Sequence, residues 1–164
     1  MIAARVEALH KHKLDGFTCG DGDLDDWLHR KAKPMGGDGL NRTHLWIEDQ
    51  TDQIIGYFAL APCFAENEIG QSYPSILLAK LALHQDLRGN KPRLGPLLIA
   101  AAFETALRGA DLVGGRFLAV DAMTQKNVDF YLGMDFEVVQ EPKADDEPTR
   151  LLIKLSTLRK SFQA

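Results

Sequence analysis

The chain is 164 residues long, 45% hydrophobic and 8% aromatic, with a formal net charge of −4. This length supports one domain, residues 1–164, with a core that needs no disulfide or metal staples, and the acidic balance weighs against broad nucleic-acid binding. Cys19 and Cys63 form no disulfide framework and fit no metal-ligand spacing, no apolar run is long enough to span a bilayer, and MIAARVEALHKHK has no secretory apolar core, so a reducing cytoplasm is expected.

Residues 5–10 read as a first strand. FTCGDGDLDDWLHRKAK reads as a helix opened by Asp21 or Asp23, with Leu24, Trp27 and Leu28 on one face. KPMGGDGLN is expected to be a glycine-rich loop. RTHLWIED and QIIGYFALAPCF, separated by QTD, form a β-hairpin. A polar loop over 66–74 precedes the buried strand SILLAKLALH, and helical spacing predicts a helix from Arg93 to Arg108. GGRFLAVDAM is a further buried strand, and TQKNVDFYLGMDF a short helix stopped at Gly133. FEVVQ and TRLLIKL are closing strands around the acidic loop PKADDEP. The order β-α-β-β-β-α-β-α-β-β is mixed α/β, with helices covering one sheet.

RGNKPRLG stands between a central strand and a helix start, where unpaired backbone N–H groups favour an anion. Gly89 and Gly95 let backbone approach a ligand, and Arg88, Lys91 and Arg93 add positive charge. The same residue types also occur in ordinary strand-to-helix turns.

LAKLALH before this loop, the loop with its helix, and NVDFYLGMDF near the end together resemble the GNAT acetyltransferase superfamily over nearly the whole chain. FTCGDGDLDDWL resembles the opening of toxin-type members, which acetylate the amino group of aminoacyl-tRNA and pair with a ribbon-helix-helix antitoxin. The resemblance implies a mainly antiparallel twisted sheet with flanking helices, acetyl-CoA as co-substrate and a homodimer. One departure stands out. The family loop runs Arg or Gln, Gly, any residue, Gly, any residue, Gly or Ala; here Lys91 and Pro92 are additional and Arg93 takes the middle glycine's place. Pro92 also bars the helix from starting earlier.

By that resemblance, Leu81, Ala82 and Leu83 hold the pantetheine arm through backbone groups, although their apolar pattern alone reads as core strand. Arg88, Gly89, Asn90, Arg93, Leu94, Gly95 and Pro96 form the diphosphate cradle, with Asn127 and Phe130 as further cofactor contacts. Tyr131 is the general acid: a phenol near pKa 10 is protonated at neutrality and can donate to a thiolate whose parent thiol is near 8.5. Read from residues alone, Phe130 and Tyr131 are packing aromatics and Asn127 a helix-start polar residue. His84, Glu66 and Glu68 are the nearest approaches to a general base; a histidine at a strand end is more often a surface residue, and the two glutamates read equally as a solvated loop. An α-amine near pKa 7.7 needs little help, whereas a lysine amine near 10.4 costs about 4 kcal/mol to deprotonate at neutrality. The sequence therefore leans towards an α-amine acceptor.

Arg30, Lys33 and Arg42, with His29 and Lys31, are candidate tRNA contacts; a solvated helix face with acid at its start and base at its end gives the same pattern. Cys19 reads as structural and Cys63 as core. Acetylation of a small-molecule or peptide amine, and a degenerate domain that binds CoA or a partner without turnover, are the alternatives.

Overall fold

The computed structural model describes residues 2–89 and 93–163; Asn90, Lys91 and Pro92 of the expected cradle lie outside them. Among the described residues seven strands run in the spatial order β1-β2-β3-β4-β5-β7-β6. They are β1 (Ala4–Ala8), β2 (Arg42–Glu48), β3 (Ile54–Glu66), β4 (Ser72–Leu83), β5 (Phe117–Ala122), β6 (Glu137–Gln140) and β7 (Thr149–Lys154). The β1–β2, β2–β3, β5–β7 and β6–β7 pairings are antiparallel, and β4–β5 is parallel. The helices are α1 (Gly22–Asp26), α2 (Ala32–Gly37), α3 (Gly95–Val113), α4 (Gln125–Leu132) and α5 (Leu155–Gln163). Contacts divide the chain into two units, Met1–Ala61 with Lys80–Glu104, and Pro62–Ala79 with Thr105–Ala164.

In the first unit, Asp21 caps α1 by accepting from the N–H groups of Asp23 at 2.9 Å and Leu24 at 3.2 Å. The helix continues through a π-helical turn, Trp27–Lys31, in which Ala32 N–H reaches Trp27 O. Pro34 accounts for that turn. It has no N–H to give Arg30, and its ring would strike that carbonyl in a regular helix, so the turn upstream widens. The expectation of a loop over KPMGGDGLN is thus corrected, because α2 runs through Pro34 to Gly37.

The face of β2 and β3 beneath these helices buries Leu45, Ile47, Tyr57 and Ala59 against Trp27, Leu28, Ala32 and Cys19. Trp27 stacks on Tyr57 at 6.1 Å, and Phe17 meets Tyr57 edge-on at 5.6 Å. The fully buried Tyr57 hydroxyl donates to Leu24 O at 2.7 Å. Tyr57→Phe is expected to lower stability by about 1 kcal/mol, read by urea denaturation, because the carbonyl loses a partner while ring packing stays. On the other face, Gly56 admits α3: a Cβ there would stand 3.1 Å from Leu98 Cδ2 and 3.2 Å from Ala82 O. A side chain at position 56 would push the helix off the strand.

In the second unit β5 is buried almost throughout, as its apolar run predicts. Phe117, Ala119 and Leu152 pack with Ala65, Tyr73 and Val139. Asp121 and Arg150 face each other across β5 and β7 and form a two-pronged ion pair. The helix α5 was not expected. Leu155 and Leu158 anchor it, and Arg159 pairs with Asp111 in the last part of α3. β3 and β4 also run further than read, leaving 67–71 as their connection.

Candidate active site

The first unit carries the end of β4 and the loop that follows. The parallel ladder of β4 covers Ile76–Leu78 against Leu118–Val120. Leu81, Ala82 and Leu83 lie past its last rung, which leaves their backbone outside the parallel ladder. Ala82 is 5% exposed in the core, and Leu81 and Leu83 are half-buried. His84 N–H then bonds to Ile55 O at 2.8 Å, and a 3-10 turn, Gln85–Leu87, leads to Arg88.

Gly89 holds φ +70°, the left-handed region that glycine enters at least cost, and among the described residues no atom beyond its chain neighbours stands within 4 Å of a Cβ built there. Gly95, the first residue of α3, is equally open. Leu94 is buried and its carbonyl takes the Leu98 N–H at 3.0 Å, so Leu94 bounds the helix. Its side chain has no oxygen to cap the amides of Gly95 and Leu97, and the exposed Pro96 has none to offer. Arg88 and Arg93 are exposed and make no ion pair with the described residues. Arg93, in place of the family's middle glycine, points a solvent-facing cation rather than a packed side chain.

His84 does not act as a free base here. Its Nε2 lies 3.3 Å from Gly16 O, and its Nδ1 accepts from Asp86 N–H at 3.2 Å, so both ring nitrogens are committed to backbone.

The second unit carries α4. Thr124 Oγ1 caps it by accepting Asn127 N–H at 3.2 Å. Asn127 is exposed, four residues before Tyr131 and so on about the same face. The helix ends at Leu132 with Gly133 as its C-cap, as expected, and a Schellman motif follows whose left-handed residue is Asp135 at φ +70°. Phe136 N–H bonds to Tyr131 O at 3.1 Å and Asp135 N–H to Leu132 O at 3.2 Å. This cap brings Phe136 back onto Tyr131, ring centroids 5.2 Å apart, and Phe130 lies edge-on at 5.3 Å. Burial pushes the Tyr131 phenol above its ordinary range, and its hydroxyl has no hydrogen-bond partner among the described residues. A protonated, uncommitted O–H is the state a proton donor needs.

The cationic residues of the first unit are divided. Arg30 pairs with Asp26 at 3.8 Å on an exposed face, Lys33 Nζ donates to His12 O at 2.8 Å, and Arg42 is exposed at the start of β2. His29 Nε2 sits 3.0 Å from Phe17 O, and Lys31 is exposed. Glu66 and Glu68 are exposed; Glu68 lines an 820 Å³ cleft in the second unit with Arg116, Lys154 and Phe136. Tyr131 does not line it. Cys19 is fully buried, and burial raises the thiols of both Cys19 and Cys63, the opposite of nucleophile activation. The reading of the sequence passed over Asp25, whose carboxylate holds Thr18 and Cys19.

Solved structures share this fold. A Tyr-to-Phe variant of the AtaT toxin, bound to the C-terminus of the antitoxin AtaR and acetyl-CoA, matches with TM-score 0.80 at 21% identity over 98% of this chain and 99% of that one. AtaT complexed with acetyl-methionyl-tRNAfMet matches with TM-score 0.79 at 20% identity, again over 98% and 99%. In sequence, the chain is 26% identical over 155 residues to a tRNA-acetylating toxin of Mycobacterium tuberculosis (strain ATCC 25618 / H37Rv), covering 89% of this chain and 88% of the toxin. No family model matches the chain.

Proposed function

We propose that this chain is an acetyl-CoA-dependent N-acetyltransferase of the toxin type, one domain over 1–164, acting on the α-amine of aminoacyl-tRNA by direct attack. The observation that carries the reading is the turn after β4. Gly89 is left-handed, no described residue beyond the chain neighbours crowds Gly89 or Gly95, and the exposed Arg88 and Arg93 stand before the start of α3. Those residues fit a diphosphate: backbone amides and the helix dipole take its oxygens, and Arg88 and Arg93 add charge. Leu81 to Leu83 offer backbone groups to the pantetheine arm. Asn127 and Phe130 are further contacts on α4.

Acetyl-CoA, once bound, supplies a thioester carbonyl for the amine to attack. The N–C bond forms, the C–S bond breaks, and Tyr131 gives its proton to the departing sulfur. The amine's surplus proton passes to water. Both ring nitrogens of His84 are occupied, so this scheme has no strong base in it, which suits an amine whose pKa near 7.7 leaves a reactive neutral fraction at neutrality. The sequence likeness to a tRNA-acetylating toxin supports the acceptor. Arg30, Lys33 and Arg42 are proposed to meet tRNA phosphates, with Lys33 exchanging its bond to His12 O for one to the ligand. A ribbon-helix-helix antitoxin, a homodimer and a cytoplasmic setting complete the proposal; no helix among the described residues is long and apolar enough to cross a membrane.

The acceptor is tested by competition. With radiolabelled acetyl-CoA and equal charged tRNA and lysine peptide at pH 7, label is expected in the tRNA fraction. Label chiefly on the peptide would overturn the α-amine reading.

A further inference from the structure

One carboxylate closes the turn that leads into α1. Asp25 accepts from the Thr18 hydroxyl at 2.6 Å and from Cys19 N–H at 2.8 Å, and Thr18 Oγ1 in turn accepts from Gly20 N–H at 3.2 Å. These bonds fix the backbone of Phe17 to Gly20. What that backbone holds is the chain leaving β4. Thr18 O takes Gln85 N–H at 2.9 Å, Gly16 O faces His84 Nε2 at 3.3 Å, and the Phe17 ring meets the imidazole edge-on at 5.5 Å. Arg88 follows Gln85 by three residues, bonded back to it through Arg88 N–H and Gln85 O at 3.3 Å.

We propose that Asp25 is a positioning residue for acetyl-CoA: through Thr18 it clamps His84–Leu87 and so sets where Arg88 and Gly89 stand before ligand arrives. The inference rests on the acetyltransferase reading above. A cradle whose upstream end is already ordered loses less conformational freedom on binding, so the clamp acts on affinity. It touches no reacting atom, so it leaves the chemical step alone. Burial would raise the Asp25 carboxyl, yet the Thr18 hydroxyl and the Cys19 amide outweigh it and hold the group below the usual carboxylate range. The carboxylate is therefore charged at neutrality, and its bonds are the stronger, charge-assisted kind. A carboxylate serving only to start the helix would affect melting and leave ligand affinity unmoved.

The test uses the full chain, with acetyl-CoA binding by calorimetry and steady-state acetylation of charged tRNA. Asp25→Ala is expected to raise Kd and KM for acetyl-CoA about tenfold, with kcat at saturation and KM for tRNA within about twofold of wild type. Thr18→Val should behave like Asp25→Ala, and Thr18→Ser, which keeps the hydroxyl, should restore wild-type affinity. If Asp25→Ala fails to fold, the Thr18 pair carries the test alone. Unchanged acetyl-CoA affinity in the variants, or a loss confined to kcat, would overturn the clamp. A wild-type protein that binds no acetyl-CoA would instead overturn the acetyltransferase reading, and this inference with it.

Discussion

Tyr131→Phe is expected to lower kcat for acetylation of charged tRNA by about a hundredfold or more, the range for removing a general acid. Ring packing between Phe130 and Phe136 survives the change, and the hydroxyl has no hydrogen-bond partner among the described residues, so stability and acetyl-CoA affinity should hold. That combination separates chemistry from folding. Growth arrest on expression should disappear with activity. The pH profile gives a second reading. Because burial raises the phenol, it stays protonated beyond its ordinary pKa near 10, and the donor is not lost between pH 6 and 9. The rate should therefore climb as the acceptor amine deprotonates near pH 7.7 and then level off. A wild-type rate in Tyr131→Phe removes the residue from its assigned role.

The double change Arg88→Ala with Arg93→Ala is expected to weaken acetyl-CoA binding by about 10- to 100-fold, from the loss of one or two charge-assisted hydrogen bonds. Both side chains are exposed and unpaired with the described residues, so their removal costs little stability. Calorimetry at low and high salt should show wild-type affinity falling with ionic strength more steeply than that of the variant. The single change Arg93→Ala discriminates further. If Arg93 substitutes for the family's glycine by gripping phosphate, affinity falls; tighter binding would mean that the side chain obstructs the cradle.

The strands and α3 were legible because burial writes itself as apolar runs and as helical spacing. β5 and its neighbours carry that signal in GGRFLAVDAM and TRLLIKL. α2 was hidden because Pro34 and two glycines break helices in isolation; a widened turn before Pro34, held by the buried Trp27 and Leu28, lets the helix continue. α5 left a readable trace in the spacing of Leu155, Leu158 and Phe162, overlooked behind the strand just before it. The stop of α4 at Gly133 was legible, whereas the left-handed residue of the turn that follows is Asp135. Tyr131 and the RGNKPRLG turn were singled out as candidates by likeness to a family, since periodicity alone makes them packing and an ordinary loop. The Asp25 clamp was invisible for a plainer reason. It joins Thr18 to Gln85 across the first unit, and DGDLDD looks the same whether its carboxylates face water or hold a turn.

The most direct measurement is mass spectrometry of the 3′-terminal aminoacyl-adenosines released from bulk charged tRNA after incubation with this protein and acetyl-CoA. Acetylation of the α-amine by this protein predicts aminoacyl-adenosines heavier by one acetyl group on the α-nitrogen, present with wild type and strongly reduced with Tyr131→Phe. Unmodified aminoacyl-adenosines from a wild-type sample that binds acetyl-CoA would contradict it.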